Sequence, residues 1–176
     1  MKALSRSLFF PVFLVSAALV NHTIDDKYGD STTGALPVYQ PDDGWAQGDK
    51  CGGCNIKPSP AGSVDVSRVH NGTWHDSTYH PDSPERTINV TFTGQAVYVF
   101  NLIANTIPGT STVTNLTFYV DGTFTSSYAH TPDNGPAILY DVLVFHTDLP
   151  HAPHTLTISS GGSSASLLLF DYIIYT

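Results

Sequence analysis

Aromatic side chains next to hydrogen-bonding side chains are the residues of this sequence best suited to chemistry. They lie between residues 37 and 80, where glycine and proline are frequent and hydrophobic alternation is absent. Sugars present apolar C–H faces that stack on aromatic rings, and hydroxyl groups that bond to carboxyl, amide and imidazole groups. The candidate ligand-binding residues are Trp45, Trp74, His75, Asp76, Tyr39 and Tyr79. The alternative is that the tryptophans are core residues, with Trp74 closing one end of the core.

Metal binding is a second chemistry that the residue types allow. The eight histidines match no H-E-x-x-H or paired-ligand spacing, so a transition-metal site is not indicated. Calcium prefers carboxylate and carbonyl oxygens. Asp25 and Asp26 stand on a presumed first strand and Asp171 on the last strand, and such terminal strands are commonly neighbours. The sequence therefore suggests a structural calcium at these aspartates, with strand-end hydrogen bonding as the alternative.

Motifs for catalysis are scarce. A glycosidase needs two carboxylates at a fixed separation, and the only glutamate is Glu85, in a Pro-Glu-Arg turn. No G-x-S-x-G motif is present. Tyr79, His80 and Arg86 are close in sequence and leave a polysaccharide lyase as a weaker alternative. The sequence favours a non-catalytic protein over a polysaccharide-active enzyme.

The only two cysteines are Cys51 and Cys54, in a Cys-Gly-Gly-Cys sequence. Neither the strand–helix–strand pattern of a redox pair nor a second pair of zinc ligands accompanies them. The spacing therefore predicts a local disulfide that shapes a glycine-rich loop.

The N-terminus and the sequons indicate a secretory route. Lys2 and Arg6 precede a short apolar run, and small residues follow near Ala17. About 12 apolar residues are too few to span ~30 Å of hydrocarbon, so residues 1–17 are predicted to be a signal peptide, with cleavage after residue 17 or as late as residue 20. Four N-x-T sequons follow, at Asn21, Asn71, Asn89 and Asn115. We expect a glycoprotein that is secreted, or located in the cell wall.

The charge balance limits the kinds of partner. The full chain has a formal net charge of −8, and removal of the leader leaves five basic against fifteen acidic residues, or −10. Affinity for nucleic acid depends mainly on neutralised phosphates, and an anionic membrane surface likewise attracts basic segments. We therefore expect neither nucleic-acid binding nor membrane insertion.

Short strands separated by turns dominate the second half. Ile88, Val90 and Phe92 alternate with polar residues, and the same period recurs over residues 116–120. Gly94 and Gln95 are predicted to turn the chain into a central strand, Ala96–Ala104, and Asp121-Gly122 to form a hairpin turn before residues 123–130. Further strands are predicted at 138–146, 154–159 and 167–175. This spacing predicts an all-β fold, an antiparallel β-sandwich of the jelly-roll type.

Asn89 and Asn115 fall on the polar phase of their strands. Glycans there would point into solvent while their apolar neighbours face the core. Residues 21–176 are thus predicted to form a single β-sandwich domain, with a long irregular loop region around residues 40–72.

A set of short motifs runs in a fixed order along nearly the whole predicted mature chain. They are Asn21–Asp26, Trp45, Gly72–His75, Phe92–Phe100, Phe118–Gly122 and Phe170–Tyr175. This order resembles a large group of secreted or surface proteins of mushroom-forming fungi with galactose-binding-domain-like jelly rolls. Many members continue into a transmembrane helix and a cytoplasmic tail that this sequence lacks. The resemblance implies the fold more firmly than a function, because one fold serves many functions.

Two functions remain in view. The first is a secreted, non-catalytic module that binds a polysaccharide or another glycan. The second is a structural surface glycoprotein without a small ligand, in which Trp45 and Trp74 are core residues.

Overall fold

Antiparallel strands form nearly all of the regular structure, as the sequence predicts. The computed structural model describes residues 19–176, and the predicted signal peptide at residues 1–17 lies outside the described residues. The ten strands are β1 (His22–Asp25), β2 (Gly29–Asp30), β3 (Val38–Gln40), β4 (Ala46–Gln47), β5 (His75–Tyr79), β6 (Arg86–Ala104), β7 (Thr114–Val120), β8 (Thr123–His130), β9 (Ile138–Ser160) and β10 (Ser166–Tyr175). Four 3-10 turns lie at Asp42–Gly44, Gly48–Lys50, Val66–Arg68 and His70–Gly72.

Strands β6 and β9 run through both layers of a β-sandwich. In one layer the first half of β6 lies between β3 and the second half of β9, which continues to β7 and β8. In the other layer the second half of β6 lies between β10 and the first half of β9, and β10 continues to β1 and β2. The main hydrophobic cluster lies between the layers, where Phe118 of β7 stacks on Phe145 of β9 with ring centroids 4.6 Å apart. The predicted antiparallel sandwich is confirmed.

The period-two pattern read from the sequence matches the burial of side chains. Ile88, Val90 and Phe92 are buried, and Leu116, Phe118 and Val120 repeat this pattern in β7. Both central residues of the predicted hairpin turn have positive φ, 52° at Asp121 and 75° at Gly122, as a type I′ turn requires.

The turn predicted at Gly94 and Gln95 is wrong. The chain continues there as a single strand, β6, with a register shift between Gly94 and Ala96. The two predicted strands at 138–146 and 154–159 are likewise parts of one strand, β9. Gly94 permits this bend because a Cβ atom at position 94 would lie 2.5 Å from the backbone oxygen of Thr176. Local sequence marks a break in the pattern at this position but does not distinguish a bend from a reversal of the chain.

The irregular stretch packs over the outer face of the second layer. We call residues 48–74 the covering segment. Its buried side chains meet those β6 and β10 residues that point away from the main core, together with residues at the start of β9. This second cluster contains Ile56, Val64, Val69, Trp74, Leu102, Ala104, Ile138, Leu167 and Leu169. No helix within residues 19–176 is long and apolar enough to cross a bilayer.

Replacing Gly94 by alanine should lower the free energy of unfolding by about 1–3 kcal/mol, because the new methyl group must displace the chain end beside it. The measurement is urea unfolding of the full chain, read as a shift of the midpoint at constant m-value.

Gly52→Ala is the matched control, since a Cβ at Gly52 meets no atom within 4 Å. Equal stability of the Gly94 and Gly52 variants would show that the close approach of Thr176 does not constrain the bend.

Candidate functional site

Three of the residues expected to bind a ligand meet in one aromatic cluster. The ring of Tyr39 stacks on that of His75 at a centroid distance of 3.9 Å and lies 5.0 Å from that of Trp45. Trp45 is half-buried, packs against the main core, and donates from Nε1 to the carbonyl of Gln40 at 3.2 Å. Burial, and then the charges of Asp26 and Asp25, raise the pKa of Tyr39. One face of the half-buried Tyr39 ring is therefore covered by His75.

The carboxylate of Asp26 holds this cluster in place. It accepts from Thr73 Oγ1 at 2.6 Å, from Gln47 Nε2 at 2.9 Å, and contacts His75 Nδ1 at 2.8 Å. The backbone carbonyl of Asp26 accepts from the hydroxyl of Tyr39 at 2.6 Å. These bonds tie the end of β1 to β3, β4, β5 and the covering segment.

Trp74 and Tyr79 have no ring face open to a ligand. Trp74 is 0% exposed and belongs to the second cluster, so the structure places it in the core, the alternative given by the sequence analysis. Tyr79 is also buried, and its hydroxyl donates to the carbonyl of Gly162 at 2.8 Å.

Asp76 points to the opposite side of β5 from His75, because successive side chains of a strand alternate. Its carboxyl is 8% exposed and lines a small cavity beside the disulfide loop. Burial raises the pKa of Asp76 to about 7. Asp76 therefore does not join the aromatic cluster, although it is adjacent to His75 in sequence.

The three aspartates expected to bind calcium lie at the junction of β1 and β10. The backbone N–H of Asp26 donates to the carbonyl of Asp171 at 3.0 Å, which confirms that the terminal strands are neighbours. The carboxylate of Asp25 accepts from two backbone N–H groups and from Asn71 Nδ2. Burial, followed by the charges of Asp26, Asp141 and Asp25, raises the pKa of Asp171 to about 8.

The carboxylates of Asp25 and Asp26 accept several hydrogen bonds, whereas Asp171 Oδ2 accepts only from the backbone of His70 at 3.4 Å and its Oδ1 has no partner among the described residues. Among residues 19–176 no group of three or more His, Cys, Asp or Glu side chains is placed to hold a metal ion. Calcium binding at these aspartates and its alternative, strand-end hydrogen bonding, both stay predictions from the sequence.

The predicted disulfide between Cys51 and Cys54 is present. Of the four sequon asparagines, Asn21 and Asn71 are exposed, while Asn89 and Asn115 are half-buried on their strands. The side chain of Asn89 accepts from Thr157 Oγ1 at 2.7 Å.

The sheet face beyond the covering segment carries a ladder of stacked rings. Tyr172 lies between His70, at 4.4 Å, and Phe100, at 4.8 Å, and Tyr98 stacks on His146 at 4.3 Å. Because these rings cover one another, they present edges rather than faces to solvent. This surface is poorly shaped for stacking a sugar.

A groove of about 620 Å³ crosses the end of β10 and has the lining that a sugar requires. We call it the His22–His154 groove. Phe92 and Tyr175 lie beneath it, 5.4 Å apart and only 5% and 4% exposed, and the half-buried ring of His22 stacks on Tyr175 at 5.1 Å. Hydroxyl and carboxyl groups line its rim, among them Thr32, Thr91, Thr93, Thr155 and Asp30.

His154 places a positive charge in this groove. Its Nδ1 lies 2.7 Å from Asp121 Oδ2 and its Nε2 lies 2.8 Å from the carbonyl of Pro150. Both partners only accept hydrogen bonds, so this arrangement favours protonation of both ring nitrogens. The carbonyl of Pro150, and then Asp121, raise the pKa of His154. The imidazolium is therefore favoured in the folded protein.

Asp30 supplies a negative charge at the same groove. Burial opposes ionisation, but hydrogen bonds from the backbone of Thr32, the hydroxyl of Thr33 and the hydroxyl of Tyr175 lower the pKa of Asp30. The groove thus combines fixed charges, hydroxyls and the half-buried ring of His22. The groove could not be predicted from the sequence because its lining comes from β1, β2, β6, β9, β10 and the loop after β2, and no fixed spacing connects these segments.

A scan of protein-family models and a search of curated proteins found no match to this chain. The resemblance to proteins of mushroom-forming fungi therefore stays a prediction from sequence motifs.

Solved structures that are similar to this chain include three proteins whose names refer to carbohydrate binding or to a carbohydrate-active enzyme. A family 35 carbohydrate-binding module from Clostridium thermocellum is 14% identical, with 80% of this chain and 98% of that chain covered and a TM-score of 0.44. A Paenibacillus sp. cycloisomaltooligosaccharide glucanotransferase shows 14% identity, 73% and 17% coverage, and a TM-score of 0.45. An exo-β-1,3-galactanase from Phanerochaete chrysosporium shows 24% identity, 64% and 25% coverage, and a TM-score of 0.41.

This chain spans a quarter or less of the length of those two enzymes. At such identities and TM-scores the likeness carries no statement about a ligand or an activity.

Stability should fall as the pH rises from about 4 to about 8 because of Asp76 and Asp171. Their folded-state pKa values, about 7 and about 8, exceed the ordinary value of 3.8. Across this range the unfolded chain has released protons that the folded chain still holds, so the free energy of unfolding decreases, by at most about 1.4 kcal/mol per pH unit for each group. Chemical unfolding at a series of pH values measures this slope.

Asp76→Asn should flatten the slope and stabilise the protein at pH values above 7, since an amide has no proton to lose. Asp82→Asn, at an exposed aspartate, is the matched control. An unchanged slope in the Asp76 variant would contradict the burial of its carboxyl.

Proposed function

We propose that this protein is a secreted, non-catalytic glycoprotein that binds a polysaccharide or another glycan in the His22–His154 groove. The observation that carries the proposal is the combination of the half-buried His22 ring, which lies over the buried ring of Tyr175, with a polar rim in one open groove of about 620 Å³. A pyranose ring needs both, because its C–H face is apolar and its edge carries hydroxyls.

The polar groups on the groove are held in fixed positions, which suits recognition of hydroxyl groups. His22 Nδ1 lies 2.7 Å from Thr32 Oγ1, and Asp30 Oδ2 accepts from Tyr175 at 2.9 Å. Side chains that are already ordered lose less conformational entropy when a ligand binds. Neutral sugars present both donors and acceptors, so they match a rim that carries carboxylate, hydroxyl and imidazolium groups.

The groove also favours binding over the structural-glycoprotein alternative. That alternative is supported by the burial of Trp74, which removes the residue on which the loop-based binding surface most depended. The groove does not use Trp74 or any other residue of the covering segment.

Filling the groove tests the proposal. Thr91 and Thr93 are exposed and line the groove, so Thr91→Tyr with Thr93→Tyr should occlude it without removing a core contact. The wild-type chain is expected to be retained on at least one of chitin, β-glucan and cellulose in a pull-down. The double variant should bind at least about tenfold more weakly, a loss of 1.4 kcal/mol or more, with an unchanged melting temperature.

Thr123→Tyr with Thr125→Tyr is the matched control, because both threonines are exposed on β8 outside the groove. Trp45→Ala, assayed in parallel, tests the aromatic cluster around Tyr39. Equal retention of the groove variant and the control would refute the groove as the binding site, and loss of retention only in Trp45→Ala would move the site to that cluster. If neither the wild-type protein nor any variant is retained on any of the glycans, the result would favour the structural-glycoprotein alternative.

Secretion and glycosylation are testable together. Expressed with its own N-terminus in a eukaryotic host, the chain should appear in the medium without residues 1–17 and above its sequence mass. Treatment with an N-glycosidase should reduce that mass, and peptide mapping should place glycans on the sequon asparagines. A protein retained in the cell at its full sequence mass would contradict the signal peptide.

A further inference from the structure

A second cavity lies between the disulfide loop and strands β5 and β10. Its volume is about 220 Å³, room for about seven water molecules at ~30 Å³ each. It shares no lining residue with the His22–His154 groove. The residues that matter are Gly53 and Cys54 of the loop, Ile56 and Leu167 as apolar walls, and the polar residues Asp76 and Thr110.

The carboxyl group of Asp76 has no partner inside the protein. Asp76 as a residue is 92% buried, although its carboxyl oxygens are not fully enclosed, and no residue within 19–176 donates a hydrogen bond to this carboxyl or forms an ion pair with it. Asp26, which is buried to a similar extent, receives donors from three side chains. A buried carboxyl without donors is costly, and such a group in a native protein calls for an explanation.

Thr110 adds a second buried polar atom without a partner. Its Oγ1 has no hydrogen bond to any described residue, and Thr110 is one of the residues that line the same cavity. Two unpartnered polar groups that border one small cavity indicate that something other than the protein completes their hydrogen bonds.

The side chains that line the cavity include one carboxyl group and no basic group. No lysine, arginine or histidine lines the cavity, and the amide of Asn55 is directed at the carbonyl of Gly109, at 3.5 Å. A ligand with a positive charge and N–H donors would complement the Asp76 carboxyl. A primary ammonium group has three donors and no acceptor, and a charge-assisted hydrogen bond to a carboxylate is about twice as strong as a neutral one.

We propose that this cavity binds the primary ammonium group of a small ligand, with Asp76 as its counterion and Thr110 Oγ1 as a second acceptor. The apolar walls at Ile56 and Leu167 receive the carbon skeleton that carries the nitrogen. The net charge of −8 raises the concentration of cations near the surface. Because the two cavities share no lining residue, this inference stands apart from glycan binding in the groove.

A matched pair of sugars isolates the ammonium group. D-glucosamine and D-glucose differ only at C2, where one carries an ammonium and the other a hydroxyl. Each is titrated into the ¹⁵N-labelled chain at neutral pH, and amide shifts in the NMR spectrum are followed. Glucosamine should shift the signals of Ile56, Thr78 and Leu167 saturably, and glucose should bind at least about tenfold more weakly.

Two variants test the residues that bind. Asp76→Asn keeps the shape of the side chain, removes its charge, and should abolish the glucosamine shifts. Thr110→Val removes the second acceptor and should weaken binding several-fold, which gives a separate test if the Asp76 variant fails to fold. Asp82→Asn, which removes a surface charge, should bind glucosamine as the wild type does.

Several outcomes would overturn the inference. They are no saturable shift with glucosamine, equal binding of glucose, shifts that map away from the cavity, or unchanged binding in the Asp76 variant. Retention of Asp76→Asn on polysaccharide distinguishes the two sites. The Asp76→Asn substitution should leave retention on polysaccharide unchanged. The test of glycan binding in the groove is therefore independent of the test of ammonium binding at Asp76.

Discussion

The placement of the irregular half of the chain depends on one buried carboxylate, that of Asp26. Side chains from positions 47, 73 and 75 converge on it, and its own backbone carbonyl accepts from Tyr39. Hydrogen bonds of this kind are strong in a low-dielectric interior, and loss of one partner leaves the others unsatisfied. A segment with little regular structure thereby acquires a fixed position against the sheet, and Trp74 is carried into the core.

Because the Asp26 hydrogen bonds fix the position of the covering segment, they also determine which parts of the sheet it covers and which parts stay uncovered. Where residues 48–74 lie on the sheet, they enclose the small cavity at Asp76. Beyond the segment, stacked rings such as Tyr172 and Phe100 protect one another's faces from water. The His22–His154 groove lies elsewhere, at the end of β10, where the chain bends at Gly94 and draws segments from both layers together.

Much of the fold could be predicted from the sequence, and little of the site. Strands such as β7 and the turn at Asp121 follow from alternation and from local turn chemistry, which act over a few residues. Trp74 lies in a segment without periodicity, so its burial depends on contacts with β6 and β10 that no local pattern reveals. The same holds for His22 and His154, which line one groove only because five strands and a loop are brought together.

The two long strands that pass through both layers also couple the layers energetically. Since β6 contributes to each sheet, neither sheet can dissolve while the other keeps its pairing partners. Unfolding is then an all-or-none event for the sandwich, as for most small single domains. Its strand pairs join residues far apart in sequence, from His22 with Tyr175 to Arg86 with Ser160. A chain of such high contact order folds slowly, because distant segments must meet before either layer gains stability.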